Sequence, residues 1–187
     1  MFFTQKPKLV DSYFKIYSVK NFYIIKNQSK RKKISENIMA NMFIHLPDCK
    51  GYSFPIETDP HPIFNKIYKK FLSTCEKHFS SVTLSEKNNT TTWCYLSNIN
   101  SRPTEYHDHV KSSTINGVYY FEVNKNDSLS FKDNDREFRY NVEENELLIF
   151  PNYVQHKPIR TTGSNARVSL NMEIITLEDV NDIFTDI

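Results

Sequence analysis

Glycine is nearly missing: three residues in 187 leave nothing from which to build a glycine-rich phosphate loop, so P-loop and Rossmann nucleotide sites are excluded. Cysteine is equally scarce. Cys49, Cys75 and Cys94 are odd in number, widely spaced and without a Cys-x-x-Cys pair, which excludes a disulfide framework and a thiolate zinc site and fits a reducing, cytoplasmic compartment. In that compartment the sequons at Asn27, Asn88, Asn89 and Asn126 carry no meaning. No apolar run approaches the roughly 20 residues of a membrane helix. The start, Met1-Phe2-Phe3-Thr4-Gln5-Lys6-Pro7, has neither a basic region nor a long apolar one, so a soluble, unexported chain is expected. A Ser/His/Asp hydrolase has no support, because there is no nucleophile elbow.

Aromatic residues, in contrast, are plentiful. Fourteen Phe and eleven Tyr within a chain that is 39% hydrophobic and 25% charged require a core, and they argue against the disordered, collagen-like and coiled-coil classes. The length suits one domain, expected to span residues 1–187. Net charge is only +2, but residues 1–90 carry 15 Lys/Arg against 7 Asp/Glu while residues 91–187 carry 9 against 15. That division gives the molecule polarity rather than a nucleic-acid signature. The one dense basic run, Lys30-Arg31-Lys32-Lys33, has no interleaved aromatics and reads as a solvated face. Abundant Lys, Asn and Ile point to an AT-rich source genome.

The hydrophobic period divides the chain into a support region, 1–90, and a strand-rich region, 91–176. In the first, Phe14–Tyr17 and Phe22–Ile25 are β-prone, and Ile34, Ile38 and Phe43 suggest a short helix over 33–43. Ile63, Phe64, Ile67, Phe71, Leu72, Cys75 and Phe79 recur at three and four residues with lysines between them, the pattern of an amphipathic helix. After Asn88-Asn89-Thr90 the period changes. Strands are expected at 91–99, 105–109, 115–123, 128–132, 136–142, 145–150, 153–160 and 166–176, with a helical turn at 177–185 capped by Thr176. Eight short strands at this spacing predict a mostly β jelly roll, with the N-terminal helix packed on the outside of the sheet.

Three of the six histidines fall in the strand region. Side chains alternate along a strand, so His107 and His109 project one way and Asp108 the other. His156 follows 47 residues after His109, on a strand that can return beside the first. Three imidazoles on one face suit a first-row metal and leave positions open for small molecules, whereas isolated surface histidines are the bland alternative. Arg167 lies 11 residues beyond His156, and alternation groups Arg167, Ser169 and Asn171 against Val168, Leu170 and Met172. A guanidinium inside a narrow barrel must hold an anion, and its fork matches a carboxylate; a salt bridge to a nearby acidic residue is the competing explanation. His45, His61 and His78 lie outside the strands, and Cys94 beside Trp93 reads as packing.

With these residues in view, Trp93 to Ile174 resembles the Fe(II)- and 2-oxoglutarate-dependent oxygenases. The likeness is to the prolyl 4-hydroxylase-like branch, and especially to a group of small bacterial and phage members, which would place the chain in a bacterial or host cytoplasm. The matching pieces are the strand Trp93–Asn100, His107-Asp108-His109, Ser113, Gly117-Val118-Tyr119-Tyr120, Glu146–Pro151 leading to His156, and Arg167-Val168-Ser169. The resemblance implies a double-stranded β-helix that holds Fe(II) and uses 2-oxoglutarate as cosubstrate with O2. It implies that His107 and His156 are ligands, that Arg167 clamps the far carboxylate of 2-oxoglutarate with help from Ser169, and that Tyr120 donates its phenol to the same group. Tyr119 faces the other way and serves packing.

The pattern departs from the common His-x-Asp/Glu, because the second ligand position is His109. Asp108 is one residue too early by strand parity, although a β-bulge would turn it inward as the alternative third ligand. A carboxylate-free site is one charge more positive and can also suit Zn or Cu. The leading expectation is a dioxygenase that hydroxylates a C–H bond of a small-molecule or peptide substrate, releasing succinate and CO2. A cupin-like protein that binds a metal or small ligand without redox turnover is the alternative, followed by an inert interaction module.

Overall fold

A computed structural model describes residues 6–22, 28–45, 53–55, 62–79, 82–83, 91–101 and 103–184. Its strands are β1 (Lys8–Asp11), β2 (Ile16–Val19), β3 (Ser53–Pro55), β4 (Thr91–Ser97), β5 (Ile115–Glu122), β6 (Ser128–Asp133), β7 (Arg136–Asn141), β8 (Leu147–Pro151), β9 (Gln155–Pro158) and β10 (Arg167–Ile174). Three helices accompany them: α1 (Gln28–His45), α2 (Pro62–His78) and α3 (Val180–Phe184). The strands form a seven-stranded sheet in the order β1-β2-β8-β5-β10-β4-β3 and a three-stranded sheet in the order β7-β6-β9. All strand pairs are antiparallel. This is the expected jelly roll, a double-stranded β-helix with helices against one face.

Strand alternation separates two hydrophobic clusters. Tyr119 and Phe121 of β5, Leu147 and Ile149 of β8, and Val168, Leu170 and Met172 of β10 face the helices, where they meet Ile34, Ile38, Phe64, Ile67, Phe71 and Phe184. Val118, Tyr120, Leu148 and Phe150 face inward and meet Leu129 and Phe131 of the small sheet. The helix α2 forms because its apolar positions make one stripe: Ile63, Phe64, Ile67, Tyr68, Phe71 and Cys75 are buried, while Lys66, Lys69 and Lys77 are exposed. Pro62 opens it, a position where the missing N–H costs nothing. Its Phe71 ring packs over Gly117 of β5, where a Cβ would stand 2.8 Å from Cε2 of Phe71.

Several expectations need correction. Residues 105–109 are not a strand: only His107 pairs, in an isolated bridge with His156. Asp108 Oδ1 accepts from Val110 N–H, and the His109 carbonyl accepts from Ser112 and Ser113 N–H, so the chain turns before a ladder can extend. The helix over 33–43 runs from Gln28 to His45, because Gln28 to Lys33 add helix-forming residues that carry no apolar signal. Lys30, Lys32 and Lys33 on it are exposed, whereas Arg31 pairs with Glu144 at 2.7 Å. The last helix starts at Val180, and its cap is Asp179, whose carboxylate accepts from Asn181 N–H at 2.9 Å; the Thr176 hydroxyl instead donates to the Glu178 carbonyl. Phe22 is buried in a bend, and the rest of the β-prone stretch 22–25 lies outside the described residues, as does Cys49. Cys75 and Cys94 are buried thiols that form no disulfide among the described residues.

Candidate metal centre

Between the two sheets lies a cavity of about 210 Å³. Its wall includes Trp93 and Tyr95 of β4, Val118 and Tyr120 of β5, His107 and His109 of the connecting segment, His156 of β9, and Arg167, Ser169 and Asn171 of β10. The sequence grouped Arg167, Ser169 and Asn171 on one face, and that face lines the cavity.

The segment 103–109 is not part of a sheet, yet it is fixed. His107 and His156 exchange two backbone hydrogen bonds, N to O at 3.1 and 2.9 Å, and His109 N–H donates to the Asn152 carbonyl at 2.9 Å. Tyr106 and Thr104 add contacts to Ser130 and Tyr95. The ligand nitrogens of His107, His109 and His156 consequently lie within 4.8 Å of one another, with ring centroids 4.5 to 5.3 Å apart.

In each ring the outer nitrogen is already engaged. Nδ1 of His107 donates to the Glu105 carbonyl at 3.1 Å, Nδ1 of His156 to the Val154 carbonyl at 3.0 Å, and Nδ1 of His109 to the Glu173 carboxylate. Carbonyl oxygens only accept, so Nδ1 carries a proton in the first two rings, and Nε2 is the nitrogen left for a metal. Burial, and then the neighbouring His107, push the pKa of His156 down to about 3. A neutral imidazole ready to coordinate is the result. These three side chains fit a divalent transition metal by donor type, by spacing and by the polar partners that orient them. Asp108 is exposed on the other side of the segment, beside Tyr13, Lys132 and Tyr153 in a separate surface depression.

Arg167 is 2% exposed. Its Nη1 donates to the Ile159 carbonyl at 2.8 Å, and among the described residues it makes no ion pair. The salt bridge that would have explained it as structural is thus missing, and the remaining N–H groups of the fork are available to an anion in the cavity. Ser169 is its neighbour on the same face, with Oγ 3.5 Å from the Tyr95 carbonyl. Tyr120 is buried in the wall; burial raises its pKa, partly opposed by the positive field of Arg167, so the phenol keeps the proton that it can donate. Tyr119 faces the helices, where its hydroxyl donates to Asn145 Oδ1 at 3.1 Å.

The residue that reading the sequence missed is Glu173. It continues the alternation of Arg167, Ser169 and Asn171 by one more step, so period 2 alone would have placed it on the cavity face. His78, the last residue of α2, has its Nε2 enclosed without a hydrogen-bond partner among the described residues. Burial and the nearby Lys77 and Lys6 lower its pKa.

No protein-family model and no curated protein matches the sequence. Solved structures do resemble the fold. A prolyl hydroxylase from Trichoplax adhaerens, in complex with a hypoxia-inducible-factor peptide fragment, superimposes with a TM-score of 0.65 at 11% identity over 87% of this chain and 84% of that one. A Pseudomonas putida prolyl-4-hydroxylase gives 0.58 at 13% identity over 88% and 94%. HygX from Streptomyces hygroscopicus, solved with nickel and 2-oxoglutarate bound, gives 0.63 at 8% identity over 88% and 83%. At these identities the likeness is one of fold.

Proposed function

We propose that the chain is an Fe(II)- and 2-oxoglutarate-dependent dioxygenase that hydroxylates a C–H bond of a small-molecule or peptide substrate. The observation that carries this reading is the pairing, in one cavity, of three convergent histidines with a buried arginine that has no ion-pair partner among the described residues. Either feature alone has a structural explanation. Together they provide a metal anchor and, across the same cavity, an anion anchor, as a dianion that chelates at one end requires.

His107, His109 and His156 would hold the metal through Nε2. When bound, Fe(II) and 2-oxoglutarate supply the oxidising chemistry: one oxygen atom of O2 enters the substrate, the other enters succinate, and CO2 leaves. The protein's part is orientation and exclusion of water. Arg167 binds the far carboxylate with the N–H groups that Ile159 leaves free, and the Tyr120 phenol and Ser169 hydroxyl donate to the same group. Val118 and Leu129, apolar residues of the cavity wall, keep that ion pair dry and therefore strong. Fold neighbours that include a prolyl hydroxylase with its peptide and an enzyme with nickel and 2-oxoglutarate support the reading.

Anaerobic titration tests it. Fe(II) followed by 2-oxoglutarate should produce a visible charge-transfer band, and aerobic incubation with substrate should yield succinate. Metal binding without that band would favour the non-redox cupin-like alternative. A protein that binds neither would be an interaction module.

A further inference from the structure

Glu173 is 4% exposed, on the inward face of β10. The Glu173 carboxylate receives Nδ1 of His109 and, at 3.3 Å, the Ser112 hydroxyl. Among the described residues no lysine or arginine pairs with it. A buried carboxylate with no fixed cation is costly unless a positive charge lies close by. Among the described residues the group placed to bring one is His109, through whatever its other nitrogen binds.

We propose that Glu173 supplies the negative charge that the three-histidine ligand set lacks, displaced outward by the width of one imidazole. It acts as a positioning residue. Its carboxylate holds the proton of His109 on Nδ1, keeps the Nε2 lone pair directed at the metal, and makes the ring a stronger donor, as carboxylates behind metal-binding histidines do. The His-x-His departure and the buried glutamate are thus a single adaptation: a carboxylate leaves the ligand position and a carboxylate appears behind it. This inference rests on the metal-centre reading above.

The test is a mutant cycle with Co(II) as probe, read by equilibrium titration and by its ligand-field absorption, with circular dichroism as the check on folding. Glu173→Gln, nearly isosteric, should weaken Co(II) binding roughly 10- to 100-fold and alter the spectrum. In a His109→Asp background the sign should reverse: the new carboxylate is itself a ligand, Glu173 now repels it, and adding Glu173→Gln should tighten binding. A residue that merely supports the fold would act in the same direction in both backgrounds. Unchanged affinity in Glu173→Gln, or equal weakening in both backgrounds, overturns the inference while leaving the metal centre intact. Wild-type protein that binds no Co(II) overturns the metal centre and this inference with it. Nitrogen-15 imidazole spectra of the wild-type apoprotein give a reading that needs no variant: His109 protonated on Nδ1 supports the assignment, and protonation on Nε2 overturns it.

Discussion

At the scale of single residues the site makes separable demands. Arg167→Ala removes charge and fork together, whereas Arg167→Lys keeps the charge and loses the planar geometry. Breaking a buried hydrogen-bonded charge pair costs about 2 to 5 kcal/mol, so Arg167→Ala should need roughly 30-fold to several thousand-fold more 2-oxoglutarate, with the lysine variant between it and wild type. Isothermal titration of the metal-loaded protein measures this; unchanged affinity with a lowered melting temperature would mark the arginine as structural. His107→Ala and His156→Ala should each lose stoichiometric metal while their far-ultraviolet circular dichroism remains native, because the larger core, between the sheet and the helices around Ile67 and Phe71, does not include them. Asp108→Ala should retain it, since that carboxylate is exposed and outside the histidine cluster. The convergence of the three histidines and the cavity-facing place of Arg167 were legible from the His-x-His spacing and from the period of β10. Glu173 was not. An acidic residue on a strand is ordinary until its burial and its partner are known.

At the scale of elements, the Phe71 ring of α2 fills the space where a side chain at Gly117 of β5 would stand. Gly117→Ala drives a methyl group into the Phe71 ring and should destabilise the protein by about 1 to 3 kcal/mol in urea unfolding. Phe71→Leu in the same chain should recover part of that loss, which independent sites would not allow. The elements with a strong period were readable: α2 for its stripe, β5, β8 and β10 for their alternation. Elements fixed by partners rather than pattern were not. Residues 105–109 looked like a strand because His107 and His109 alternate with polar neighbours, yet a turn beginning at Asp108 limits them to one bridge. β2 had a β-prone sequence, but its place beside β8 depends on Tyr17 meeting Ile149, a match that no local window contains.

At the scale of the whole molecule, the N-terminal residues belong to the same sheet as the candidate site. β2 covers the edge of β8, whose five residues are all buried, and Tyr17 joins Phe79 and Phe184 from opposite ends of the chain. The chain should therefore unfold in one transition, with near- and far-ultraviolet circular dichroism coinciding. Removal of residues 1–19 should uncover the β8 edge and shift the protein toward aggregates by size-exclusion chromatography. The same pairing sets an order in time. Most pairings in the large sheet join strands distant in sequence, β2 with β8, β5 with β10 and β10 with β4, a topology that closes over milliseconds to seconds rather than microseconds. A nascent chain synthesised as far as Asn141 already holds residues 8–19 but none of β8, so the first hairpin to leave the ribosome must wait, unpaired on one side, until about seven-tenths of the protein has followed it.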